Sequence, residues 1–314
     1  MRYSDSLGKN SSRILLGTSY FGDTISKEES FALMDKFCEL GGCHIDTARL
    51  YADGEAEKVI GEWVKSRKPE GIFISTKGAC PHKNTPYISR LSESEIRYDI
   101  EASLKALGTE CIDFYWLHRD DEKIPVGQIT EIMNKLVKEG KIKHFGASNW
   151  KYNRIDEANK YAQGHGLKGF EASQIRFSPA IIAPGGDADR TLVDIDEESF
   201  SYYAENNIPV VAFASQAKGF FSKMALLGES GLSSKSKGRY LCDENIRRLD
   251  ILKELSQKYN CSIAAAVCGA MSSFSHPDVY PIIGCSTPEQ IADSMSGADV
   301  IVEKEDLKRL FGYI

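Results

Sequence analysis

The chain has 314 residues, of which 42% are hydrophobic, 27% charged and 10% aromatic, with a formal net charge of −6. That length and composition suit one large α/β barrel or two smaller domains. The acidic balance argues against nucleic acid or an anionic membrane as partner, and no apolar run nears the roughly 18 residues that span a bilayer.

The N-terminal stretch MRYSDSLGKNSSR lacks the apolar core of a signal peptide, so a cytoplasmic protein is expected. Cysteines at 38, 43, 80, 111, 242, 261, 268 and 285 form no C-x-x-C pair and no cluster with histidine. Buried free thiols in a reducing compartment explain them better than a disulfide framework or a zinc site.

Apolar β-type runs alternate with helical patterns along the chain. Residues 14–17 read as a first short strand, and 27–40 as a helix with Phe31, Leu33, Met34 and Phe37 inward. Residues 44–46 form a second strand ending on Asp46, with Tyr51 in the following loop and a helix over 56–65. A third strand, 71–77, ends on Lys77 and opens a long polar loop, 78–91. Ser92 then caps a helix with Glu93 and Glu95 in its first turn, which stops at Gly108. Residues 112–118 (IDFYWLH) are a fourth strand ending on His118, followed by a helix over 129–139. Strands at 142–148, 170–174, 210–213 and 280–284 alternate with helices at 153–161, 197–205 and 249–259, and helices at 288–295 and 304–311 close the chain.

Eight strand–helix units without a low-complexity linker predict an α/β fold, a (β/α)8 TIM barrel forming a single domain over residues 1–314. A doubly wound sheet is the rival, but no strand is followed by G-x-G-x-x-G. Residues 219–243, rich in serine, glycine and lysine, are too polar for core and are expected to follow the seventh strand on the rim where barrels carry their active sites, either as a loop that closes over a ligand or as a loose surface loop.

Three consecutive strand ends supply Asp46, Lys77 and His118, and the loop after the second adds Tyr51. Singly, each has a bland reading: a capping acid, a solvated lysine, a structural histidine. Together they place an acid, a phenol, an amine and an imidazole on one rim. No metal is expected, because one carboxylate and one imidazole make a poor closed site. A phenol has an ordinary pKa near 10, and a nearby ammonium favours its ionised form. Lys77 can serve in that way if Asp46 holds it charged, while His118 offers a hydrogen bond to a substrate oxygen. Such a site can give a proton to a carbonyl oxygen but holds no hydride, so a cofactor has to bring one.

The stretches LGTSYFG, HIDTARLYADGEAEKVIG, FISTKG, SLKALGTECIDFYWLHRDD, GKIKHFGASNW, EASQ, VVAFASQAKGFFS and PIIGCSTPEQIADSMSG together resemble the aldo-keto reductase family over nearly the whole chain. The resemblance implies NADPH-dependent reduction of an aldehyde or ketone, with NAD as the other nicotinamide. It implies Tyr51 as general acid, Lys77 and Asp46 as its tuning pair, and His118 orienting the carbonyl. It implies a nicotinamide ring stacked on Phe213, its carboxamide bonded to Ser148, Asn149 and Gln174, and Gly17 and Thr18 beneath. Ala214, Ser215, Gln216 and Lys218 would hold the pyrophosphate. Arg239, Ser286, Gln290, Asp293 and Ser294 would lie near the adenine and 2′-phosphate.

Three positions depart from the family pattern: Ala214-Ser215-Gln216 stands where Ser-Pro-Leu is common, Gln290 where many members have arginine, and Asp293-Ser294 where many have Glu-Asn. Glutamine lacks the bidentate fork with which arginine grips phosphate, and Arg239 with Lys218 is expected to compensate. Tyr20, Phe21, Arg119 and Trp150 would line the substrate side, suiting a polar aldehyde such as a sugar or an acid-bearing carbonyl compound. Arg119 is alternatively a member of a surface ion-pair cluster with Asp120 and Asp121. The competing functions are a catalytically weak NADP-binding regulatory subunit and a metal-dependent barrel isomerase or hydrolase. Oligomeric state is not set by the sequence.

Overall fold

A computed structural model describes residues 2–8, 10–186 and 189–312; the ends of the expected 1–314 unit, Met1 and Tyr313 with Ile314, lie outside them. Eight parallel strands close into a barrel, β3 (Leu15–Gly17), β4 (His44–Asp46), β5 (Phe73–Gly78), β6 (Ile112–Leu117), β7 (Ile142–Ser148), β8 (Ser173–Arg176), β9 (Val210–Phe213) and β10 (Val279–Ile283), with β10 paired back onto β3. Ahead of it a short antiparallel pair, β1 (Tyr3–Ser4) and β2 (Ser11–Ser12), lies across the N-terminal end of the barrel.

The strands are short and apolar, so alternation decides which side chain faces where. Leu15, Phe73, Phe114, Trp116, Ala172, Val211 and Tyr280 fill the interior, joined by Leu7 from the loop of the leading hairpin. The alternate residues, such as Ile45, Tyr115, Ile175 and Val210, join a second and larger core between strands and helices. That outer layer rests on α1 (Lys27–Glu39), α2 (Glu55–Arg67), α3 (Glu93–Leu107), α4 (Val126–Lys138), α5 (Tyr152–Gly164) and α6 (Glu197–Glu205). Caps set the helix ends: Ser92 Oγ accepts from Glu95 N at 3.3 Å, and α3 stops where Gly108 turns left-handed at φ 68°.

The chain departs from the sequence expectation in its second half. Residues 219–243 are not an open loop but carry α7 (Phe220–Leu227) and α8 (Ser234–Tyr240), which bury Phe220, Phe221, Leu232 and Tyr240. Four apolar anchors spaced among serines and lysines suffice to fix that segment on the barrel. After α9 (Asp243–Lys258), a further helix, α10 (Ile263–Ser272), is almost wholly buried and was not anticipated. The eighth strand is followed by α11 (Pro288–Ser296) and then α12 (Lys304–Phe311). β8 also begins later than expected: Phe170 precedes it and packs against Phe145 and Trp150.

Candidate active site

Register assembles the site. Asp46 pairs with Gly17 on one side and Ser75 on the other, and Lys77, two residues past Ser75 on the same face of β5, pairs with Trp116. Beyond β4 the chain keeps to β5, Thr47 N donating to Ser75 O at 2.9 Å and Arg49 N to Lys77 O at 2.8 Å. The following turn holds Ala52, Asp53 and Gly54 at φ 48°, 53° and 96°. At Gly54 an added Cβ would lie 1.8 Å from Arg49 Nη1. This tight turn lays the half-buried Tyr51 ring over Lys77, whose ammonium is 4.8 Å from the ring centroid.

Asp46, Tyr51, Lys77 and His118 are thus brought together. Lys77 Nζ donates to Asp46 Oδ2 at 2.6 Å, to Thr47 O at 2.7 Å and to Tyr51 Oη at 3.3 Å. Lys77 and Asp46 are both buried, and Asp46 Oδ1 accepts from Ser75 Oγ at 2.9 Å and Gln174 Nε2 at 3.0 Å. Burial works to discharge the Lys77 ammonium, but Asp46 and Tyr51 outweigh it and raise its pKa, so the lysine stays charged. His118 lies edge-on to Tyr51 with ring centroids 6.3 Å apart. Burial, with the charges of Lys77 and Arg119 adding, lowers the His118 pKa well below its ordinary value, so the imidazole is neutral. Its buried Nδ1 has no hydrogen-bond partner among the described residues.

A nicotinamide cofactor fits the residues around this group. Gly17 ends β3 with Ile282 Cγ2 2.6 Å from where a Cβ would sit, and the buried Thr18 spends its hydroxyl on Asp46 O at 3.1 Å. Ser148 ends β7, and Asn149 turns left-handed at φ 58°, bonded through Nδ2 to Ser148 Oγ at 3.1 Å and through Oδ1 to Val193 N at 3.2 Å. Gln174, the register partner of Ser148, is buried with its Nε2 on Asp46, and Phe213, at the end of β9, is only partly covered.

Ala214, Ala217 and Lys218 follow with positive φ, and within this turn Ala217 N donates to Ala214 O and Gly219 N to Gln216 O, each at 2.8 Å. Two side chains there are committed inside the protein: Ser215 Oγ bonds to Ile282 O at 2.6 Å, and Gln216 Nε2 to Ser294 Oγ at 2.9 Å. Lys218, Ser286, Gln290 and Asp293 are exposed, and Arg239 on α8 is partly exposed. Gln290 Oε1 accepts from Ser286 N at 2.9 Å, closing the turn that starts α11.

On the substrate side two expectations are corrected. Phe21 is 1% exposed and Trp150 is 0% exposed, so neither ring lines the cleft. Trp150 turns inward against Phe170 and is covered by the Arg154 guanidinium at 5.5 Å. Tyr20 is half exposed. Arg119 does not pair with Asp120 or Asp121. It donates to Thr191 Oγ1 at 3.0 Å and to His118 O at 2.8 Å, while Asp120 takes Arg154. A cleft of about 620 Å³ opens beside it, with Ala79, Arg119, Asn149 and Val193 among its walls.

The sequence reading missed Thr47 O, Ser75 and the bond from Gln174 to Asp46. Period-two spacing carried the Ser75 signal, since Ser75 and Lys77 necessarily share a face of β5. Thr47 O is met between the neighbouring strands β4 and β5, whereas the Gln174–Asp46 bond depends on closure of the barrel.

A sequence profile of the Aldo/keto reductase family matches residues 13–312. Norsolorinic acid reductase stcV of Emericella nidulans is 27% identical over 94% of this chain and 76% of its own length. The uncharacterized oxidoreductase YrpG of Bacillus subtilis is 27% identical over 96% of this chain and 92% of its own. Among solved structures, the thermostable aldo-keto reductase Tm1743 with the inhibitor epalrestat superposes with a TM-score of 0.73 at 21% identity, covering 100% of both chains. A putative 2,5-diketo-D-gluconic acid reductase B gives 0.72 at 17%, covering 100% of this chain and 91% of its own. At such identities these two structures speak for the barrel alone. With the profile spanning nearly the whole sequence, the chain belongs to the aldo/keto reductase family of NAD(P)H-dependent oxidoreductases.

Proposed function

We propose that this protein is a cytoplasmic reductase that uses NADPH to convert the carbonyl of an aldehyde or ketone to an alcohol, with Tyr51 as general acid. The observation that carries the reading is the direction of one hydrogen bond. Lys77 is a donor only, and its three N–H groups meet Asp46, Thr47 and Tyr51. Tyr51 Oη therefore accepts from the lysine, and its own proton is free to point at a substrate oxygen. Once that proton leaves, the phenolate faces a cation already in place, and nothing has to reorganise. His118, being neutral, keeps one N–H for the same carbonyl oxygen and holds it near the phenol.

A bound reduced nicotinamide supplies the hydride that the side chains lack. Ser148, Asn149 and Gln174 would hold its carboxamide against the face of Phe213, which fixes the reacting face relative to Tyr51. The turn at 214–218, left-handed at Ala214, Ala217 and Lys218, would receive the pyrophosphate. Lys218 and Arg239 are the cations for a 2′-phosphate, which is the reason for preferring NADPH over NADH.

The polar rim around Arg119 favours polar carbonyl substrates such as sugar aldehydes. The names of the relatives, which include a probable aryl-alcohol dehydrogenase of Saccharomyces cerevisiae at 25% identity, add aromatic carbonyls to the set to be tried. No observation favours a catalytically weak regulatory subunit.

The test is oxidation of NADPH, with NADH in parallel, against sugar, aliphatic and aromatic carbonyls. Tyr51→Phe is expected to bind NADPH normally, read by its fluorescence, and to lose about 10²–10⁴-fold in kcat. Unchanged turnover would refute the assignment of the acid.

A further inference from the structure

A line of side-chain hydrogen bonds runs inside the barrel from its N-terminal end to the phenol. Ser11 Oγ lies 2.9 Å from His44 Nδ1, and His44 Nε2 lies 3.0 Å from Ser75 Oγ. Ser75 Oγ donates to Asp46 Oδ1 at 2.9 Å, and from Asp46 the line continues through Lys77 to Tyr51. Ser11, His44 and Ser75 are all 0% exposed. Phe73 meets the His44 ring edge-on at 4.2 Å between centroids, which fixes its plane.

Counting protons fixes the sense of this line. An ionised carboxylate only accepts, so the single Ser75 proton is committed to Asp46. Ser75 oxygen must then accept from His44, which puts a proton on Nε2. A hydroxyl that accepts from an imidazole N–H is in turn a stronger donor, because hydrogen bonds in a chain polarise one another. With stronger donors on Oδ1, the carboxylate offers less charge to Lys77 through Oδ2. More of the ammonium charge is then left for the oxygen of Tyr51 as its proton departs.

We infer that His44 is a positioning residue for the proton transfer, acting through Ser75 and Asp46 to set how much of the Lys77 charge reaches Tyr51. The inference rests on Tyr51 being the proton donor. His44 touches neither the phenol nor the cleft, so its effect belongs in kcat and not in binding.

Two readouts test this. In cofactor-free protein with isotope-labelled histidine, nuclear magnetic resonance is expected to find the His44 proton on Nε2, and Ser75→Ala is expected to shift that nitrogen. A proton on Nδ1 alone overturns the inference whatever the turnover. In kinetics, Ser75→Ala removes one hydroxyl and adds no volume. It is expected to lower kcat about tenfold, with KM and the NADPH Kd unchanged.

His44→Leu is expected to do the same, and His44→Gln, which retains a side-chain N–H, to recover most of the loss. The double variant His44→Leu/Ser75→Ala is expected to lose no more than either single one. Unchanged kcat in Ser75→Ala, additive losses, or a glutamine no better than leucine each overturn it. If His44→Leu fails to fold, Ser75→Ala decides alone. If the parent protein reduces no carbonyl, the proposed function falls, and the resonance experiment still decides the proton on His44.

Discussion

Two buried ion pairs flank the end of β5, and they behave differently. Behind the strand, Arg90 closes its fork on Asp99 at 2.7 and 2.8 Å, donates to Cys80 O at 3.2 Å and reaches Glu95 through Nε at 2.6 Å. Asp99 also accepts from Ala79 N at 2.8 Å. The cluster is turned in upon the loop it fastens. In front of the strand, Lys77 and Asp46 are equally buried, with side chains 1% and 3% exposed, but the third lysine donor goes to the half-buried phenol of Tyr51. Burial of charge therefore does not mark the active site. What sets the proposed site apart is the lysine donor that remains for the Tyr51 phenol.

The largest effect is expected from Lys77→Met, which leaves the phenolate without its cation and should cost about 10²–10⁴-fold in kcat, measured at saturating NADPH. Arg90→Ala is the matching change at the other pair. It strands Asp99 and is expected to cost about 3–5 kcal/mol of stability in denaturant titration, with kcat of the folded protein held within about threefold. If Arg90→Ala lowered kcat as Lys77→Met does, the contrast between the pairs would be gone.

Gly54→Ala is expected to cost about 1–3 kcal/mol and to reduce kcat, because it strains φ 96° and pushes into Arg49 beneath the Tyr51 turn. The smallest effect concerns His118. Its folded pKa lies well below the ordinary 6.5, so below that pH the unfolded chain binds a proton that the folded one refuses. Stability should then fall as pH drops through that value, by up to about 1.4 kcal/mol per pH unit. Thermal melts of His118→Gln should show a shallower acid slope.

Much of this site could be read without coordinates because it stands on strand ends. Asp46, Lys77 and His118 each follow a short apolar run, and a barrel puts all such ends on one rim. Tyr51 was legible because its loop is short. What stayed hidden depends on contacts across the fold. Trp150 follows an apolar strand as an active-site residue would, yet its ring finds Phe170 and Arg154 and leaves the cleft. Phe170 looks like the start of β8 but packs ahead of it, since apolar character alone does not separate a strand from the buried loop before it. In residues 219–243 the serines and lysines dominate composition and mask Phe220, Phe221 and Tyr240, which hold the segment down. The sequence of α10, IAAAVCGAMS, has no polar face to show a helical period, because nearly every side of that helix is covered.

Leu7 and Tyr280, packed into the base of the barrel, have a bearing on traffic. With that end filled among the described residues, a carbonyl entering the proposed site and an alcohol leaving it would share the opposite rim, and the alcohol would have to step out before the next molecule could step in. Crowding there would show itself as product inhibition.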